Sequence, residues 1–99
     1  MDFNYETFRK NLIADLKGKI TEKEVTNEYD VDDFISQTVI GICTNNKIFC
    51  FKVLENLDIN DYTEAIDNGA TDIYEIAQYF LVNKIESEQE IQDIIYSIM

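Results

Sequence analysis

The sequence predicts an α+β fold: one small domain with an N-terminal helix, a β-hairpin or small antiparallel sheet, and a C-terminal bundle of about three short helices. Three observations predict it. Apolar residues recur at helical spacing over residues 2–17 and again over 71–98. Two segments rich in β-branched and aromatic residues flank Asn45-Asn46 in mid-chain. No proline, Gly/Ser-rich linker or internal repeat divides the 99 residues, so 1–99 reads as a single domain.

Taken in order, residues 2–17 place Tyr5, Phe8, Leu12 and Leu16 on one helical face, supported by Phe3 and Ile13. Asp2 or Asn4 supplies the N-cap, and Gly18 the stop. Residues 19–36 carry two weaker signals: Ile20–Val25 as a short strand, and Asp30–Gln37 as a helical turn carrying Val31, Phe34 and Ile35 inward. Thr38–Thr44 and Lys47–Val53 follow as strands, because Asn45-Asn46 tolerates the positive φ of a tight two-residue turn. With Thr44 opposite Lys47, the core face carries Ile40, Ile42, Phe49, Phe51 and Val53. Val39, Gly41, Cys43, Ile48, Cys50 and Lys52 fall on the other face. Cys43 and Cys50 would then be diagonal neighbours about 7–8 Å apart, at the limit for a disulfide, and are expected as small apolar packing groups.

Beyond the hairpin, Asn60–Asp67 predicts a short helix capped by Asn60, ended by Asn68-Gly69, with Tyr62, Ala65 and Ile66 inward. Thr71–Val82 is the best-defined helix: Thr71 caps it, Asp72 lies in its first turn, and Ile73, Ile76, Ala77, Phe80 and Leu81 form the stripe. A last helix opens at Ser87 with Glu90 at capping-box spacing, and buries Ile91, Ile94, Ile95 and Ile98.

Charge is the most informative feature. Twenty acids against eight bases leave −12, with no histidine, and residues 55–99 hold eleven of the acids and one base, Lys84. Such a surface repels phosphate and speeds encounter with basic partners; the bland alternative is solubility alone. No apolar run approaches the ~18 residues of a membrane span, and the N-terminus lacks signal-peptide order. No membrane partner and a cytoplasmic location, the host cytosol if phage-encoded, are the expectation.

The segment from Leu57 to Ile98, with its short helix, Gly69 break, Ile76-Ala77-Gln78-Tyr79-Phe80-Leu81-Val82 helix and last amphipathic helix, resembles the C-terminal part of phage ImmA/IrrE-type metallopeptidases. Gly41–Leu54 is similar to the hairpin before that family's catalytic helix. The family binds zinc through a His-Glu-x-x-His helix, and this chain has no histidine, so no protease activity carries over. The resemblance implies a phage or mobile-element origin and a partner among repressors or defence proteins.

Other chemistry finds no support in the residues. Asp30, Asp32 and Asp33 lack the glycine and closing Glu of a calcium loop, as does Asp58-Ile59-Asn60-Asp61. Ser36, Ser87 and Ser97 have no histidine to activate them. No Gly-rich phosphate loop is present, so no catalytic residue, metal or cofactor is assigned. A helix-turn-helix built on residues 71–98 would press Glu86, Glu88, Glu90 and Asp93 against phosphates, which sets direct nucleic-acid binding aside.

Two classes remain. The favoured one is a non-catalytic inhibitor or regulator, of anti-CRISPR, anti-restriction or nuclease-immunity type. It would mimic DNA toward a basic nucleic-acid-binding protein: a CRISPR effector, nuclease or repressor. Its candidate partner-binding residues are Asp58, Asp61, Asp67, Asp72, Glu75, Glu86, Glu88, Glu90 and Asp93, with Tyr62 and Tyr79 adding buried area. The alternative is a regulatory adaptor that forms a homodimer through the C-terminal helix pair, at Ile91 and Ile95, its acidity incidental.

Overall fold

The structure, a computed structural model, describes residues 4–99, and among them it contains six helices and no strand. These are α1 (Tyr5–Thr21), α2 (Glu28–Asn45), α3 (Lys47–Glu55), α4 (Ile59–Asp67), α5 (Ile73–Glu86) and α6 (Gln89–Ile98). The expected hairpin is absent, and the α+β class is corrected to all-α.

The cause lies in α2. Val31, Ile35, Val39 and Cys43 recur every fourth residue, and all four are fully buried. That stripe passes straight through position 38, where the strand was expected to begin. A β-branched residue in a helix costs up to about 0.7 kcal/mol relative to Ala, whereas burying a Val or Ile side chain stabilises by about 1.5–3 kcal/mol. Burial wins. The faces exchange in part: Ile40 and Phe51, expected in the core, are 43% and 42% exposed, while Phe49 is buried and Ile42 and Val53 pack against the core as expected. Val39, Cys43 and Cys50, expected on the outer face, are buried.

Asn45-Asn46 does bend the chain, but between helices. The Asn46 N–H donates to the Ile42 carbonyl at 2.9 Å, closing α2. Its Oδ1 accepts from the Phe49 N–H at 3.1 Å, capping α3. With φ at −136°, Asn46 forms no left-handed turn.

At the N-terminus, Asn4 caps α1, accepting from the Thr7 N–H at 2.8 Å. The other expected cap, Asp2, and the supporting Phe3 lie outside the described residues. Phe8, Leu12, Ile13 and Leu16 are buried as the spacing predicts. Gly18, however, does not stop the helix. α1 continues to Thr21 and closes at Lys23, which adopts φ 63°. The Lys23 N–H donates to the Ile20 carbonyl at 3.0 Å and that of Glu24 to the Lys19 carbonyl at 2.9 Å, a Schellman closure. Ile20–Val25 is thus a helix end rather than a strand, and Val25 returns to the core.

α4 and α6 form where expected, and α5 runs past its expected end at Val82 to Glu86; all three have their caps shifted. Asp58, not Asn60, caps α4, and Asp72, not Thr71, caps α5. Gly69, at φ 102°, turns the chain between them. Ser87 closes α5, its Oγ donating to the Lys84 carbonyl at 2.8 Å, so the expected Ser87–Glu90 box does not form. Ala65 and Tyr62 pack inward, but Ile66 is exposed.

α2 and α5 pack most extensively on each other; α3 and α4 lie against α5, α1 against α2, and α6 against both central helices. The molecule measures 39 × 32 × 20 Å, two layers of helices each ~10 Å across. Every buried residue among those described is apolar or a thiol, so charged groups are confined to the surface.

Two pairs of substitutions check this arrangement by chemical denaturation. Val39→Ala should cost about 2 kcal/mol, while Ile40→Ala should cost less than about 1 kcal/mol; the hairpin register demands the reverse order. Gly18, whose Cβ would meet nothing within 4 Å, should gain about 0.5–1 kcal/mol on Gly18→Ala, and Lys23→Gly should stabilise by about 1 kcal/mol.

Candidate partner-binding surface

The acids singled out by the sequence divide by what the fold asks of them. Asp58 and Asp61 cap each other's backbone: Asp58 Oδ1 accepts from the Asp61 N–H and Asp61 Oδ2 from the Asp58 N–H, both at 3.0 Å. Asp72 Oδ1 accepts from the Glu75 N–H at 2.8 Å, and Glu75 Oε2 accepts from the Thr71 hydroxyl at 2.6 Å. All four sit at helix N-termini, where the dipole favours negative charge. Asp93 accepts from the Gln89 side chain at 2.9 Å.

Glu88 and Glu90 are occupied by a base from the other end of the chain. Arg9 Nε donates to Glu88 Oε2 at 3.0 Å, and its Nη2 to Glu90 Oε1 at 2.6 Å. The Tyr5 hydroxyl donates to Glu88 Oε1 at 2.7 Å, and Lys84 Nζ stands 4.0 Å from the centroid of the Tyr5 ring. The Tyr5 and Arg9 bonds hold the Glu88 carboxyl below its ordinary pKa. Burial first, then the hydrogen bond to Glu88, push the Tyr5 phenol well above its usual range.

Glu86 is placed differently. It is the last residue of α5, where the dipole disfavours an acid, and it faces Asp32 of α2. Burial first, then Asp32, raise its pKa. Asp67 also ends its helix, α4, and is exposed, with no base in that last turn. Of the two tyrosines, Tyr62 and Tyr79 are both half-buried; Tyr79 stands edge-on to Phe80, centroids 5.1 Å apart at 85°.

The candidate set is therefore spread along α5 rather than gathered at one of its ends. The backbones of Asp72 and Glu86 lie at opposite ends of α5, roughly 21 Å apart at the helical rise. What the fold brings together is Glu86 with Asp32, and Glu88 and Glu90 with Arg9. Neither Asp32 nor Arg9 was on the list. Asp32 was legible through Asn27, three residues before Asp30: a cap pattern that starts a helix at Glu28 and sets Asp32 on its second turn.

The remaining candidates are structural. Ile91 and Ile95, the expected dimer contacts, are buried in the protein's own core, whereas Tyr96 and Met99 on and beyond α6 are each 82% exposed. Cys43 and Cys50 are free, buried and packed between α2 and α3; burial pushes the Cys43 thiol up to about 12. That suppresses the thiolate form. No helix among the described residues is long and apolar enough to cross a membrane. No family model, curated protein or solved structure matches the chain.

Glu86 and Glu88 should respond oppositely to pH. Glu88, with its pKa depressed, contributes stability that is present above the ordinary carboxylate pKa and lost as pH falls through the depressed value. Glu86, with its pKa raised, carries a penalty that is complete above the raised value and gone below the ordinary one. At pH 7, Glu86→Gln should therefore raise stability by about 0.5 kcal/mol and Glu88→Gln lower it by about 1 kcal/mol. Thermal melts from pH 3 to 7 should show both differences vanishing on acidification, that of Glu88→Gln at the lower pH.

Proposed function

We propose that this protein is a non-catalytic inhibitor or regulator that binds a basic nucleic-acid-binding protein through carboxylates standing in for phosphates. The observation that carries this is the meeting of Glu86 and Asp32. Two like charges are held together, Glu86 at the C-terminus of α5 against its dipole and Asp32 on the second turn of α2, with no base ion-paired to either among the described residues. A fold selected for stability alone replaces one of them. A bound cation, by contrast, converts the repulsion into attraction, since each carboxylate gains a Lys or Arg partner.

The centre of the surface accordingly moves from the α5–α6 acids as a set to Glu86 and Asp32, flanked by the exposed Asp33. Glu88 and Glu90 serve less well, because Arg9 already pairs with both and offsets one of their two charges. Asp58, Asp61 and Asp72 act first as caps and add only general negative potential. The class of partner is a CRISPR effector, a restriction or other nuclease, or a repressor: proteins whose Lys and Arg clusters otherwise hold a polyanion. A phage or mobile-element setting accords with that list.

The test is a pull-down from host lysate with immobilised protein, followed by sorting of the retained proteins by pI and nucleic-acid affinity. Wild type should retain a basic nucleic-acid-binding protein, with affinity falling at least about tenfold between 50 and 200 mM salt. Asp32→Lys combined with Glu86→Lys should abolish retention, while Asp58→Ala, which removes the α4 cap, should leave it intact although it lowers the melting temperature. Retention of a neutral or acidic protein, indifferent to salt and to both reversals, would refute the proposal.

A further inference from the structure

A groove of ≈ 620 Å³ opens between the start of α1, the face of α3 and the second half of α5. Its floor is apolar, formed by Phe49, Val53, Leu57, Phe80 and Leu81, and its rim carries Lys52 and Lys84. No described acidic residue lines it, although 20 of the chain's 99 residues are Asp or Glu. Lys52 forms no ion pair among the described residues. Asn4, the cap of α1, stands at the same rim, so the positive end of that helix dipole adds to the two ammonium groups.

We infer that this groove is a binding site for a small amphiphilic carboxylate, an unbranched aliphatic chain ending in a single anionic head. The floor supplies the area that takes up the chain, and the lysine rim supplies the charge that takes up the head. Its volume falls within the roughly 300–1,000 Å³ typical of small-molecule sites. A neutral aliphatic loses the rim contacts, a cationic one is repelled by them, and a soluble anion without an apolar body is turned away by the protein's overall negative field. The sign of this site is opposite to that of the Asp32–Glu86 surface, and the inference does not depend on it.

Titration calorimetry of the whole protein with monomeric dodecanoate, below its micelle concentration, tests the site. Dodecanoate should bind, dodecanol about tenfold more weakly, and dodecyltrimethylammonium not measurably. Amide shifts in a nitrogen–proton spectrum should centre on Val53, Asn56, Leu57, Phe80 and Lys84. Lys52→Gln combined with Lys84→Gln should bring dodecanoate down to the affinity of dodecanol and leave dodecanol unchanged. Asn56→Trp, at an exposed position on the rim, should block both; it also removes the Asn56 Nδ2 bond to the Lys52 carbonyl, so an unchanged helical circular-dichroism spectrum checks that the fold is retained. The site is overturned if wild type does not bind dodecanoate, if the cationic amphiphile binds equally well, or if the shifts centre on the Asn68–Tyr79 region instead.

Discussion

The seam between α2 and α5 is the constraint from which the other placements follow. α2 contributes a fully buried residue every fourth position, and α5 answers with Ile76, Ala77, Leu81 and Ile85. Once these two helices are apposed, α3 covers a flank of both, α4 lies against α5, and α6 closes the end where both central helices are within reach. Ala65 and Ala77, both fully buried, mark places where a larger side chain would hold neighbouring helices apart. The apposition also sets Asp32 against Glu86, so an unfavourable charge contact follows from the apolar one.

Half of this architecture was legible in the residues and half was hidden by composition. α4, α5 and α6 announce themselves through spacing and nearby capping residues, and their buried faces agree with expectation apart from Ile66 and Ile73, which are both exposed. The central third misleads because Thr38–Val53 is rich in Val, Ile and Phe, which local propensity assigns to strands. Propensity differences are small against burial, and the decisive signal, a four-residue period from Val31 to Cys43, spans a segment whose first half had little else to mark it. Asn46 compounds the ambiguity, since asparagine serves a hairpin turn and a helix cap equally well. Gly18 misleads in the same way. Glycine is common just past a helix end, yet here Lys23 adopts the left-handed conformation and glycine sits within the helix.

The candidate surface was legible as charge but not as geometry. An acid count cannot separate carboxylates that hold helix ends from those left facing one another, and here both kinds occur within a few residues. Asp72 and Glu75 tie down the start of α5; Glu86 at its far end does nothing of the sort. The helix dipole distinguishes them, and it needs the helix boundaries first. The groove on the opposite account, with its lysine rim, was invisible for a similar reason: Lys52 and Lys84 are thirty-two positions apart in the chain and share a rim only after α3 and α5 have packed.

The Arg9 contacts with Glu88 and Glu90 span 79 and 81 positions, so they fasten the first helix by way of a segment that leaves the ribosome only after the other five helices have been made. Until then α1 has its packing against α2 and the Phe8–Phe49 ring contact at 5.7 Å, but not its polar latch. The polar contacts of α1 with α6 are therefore the last of its contacts that synthesis makes possible.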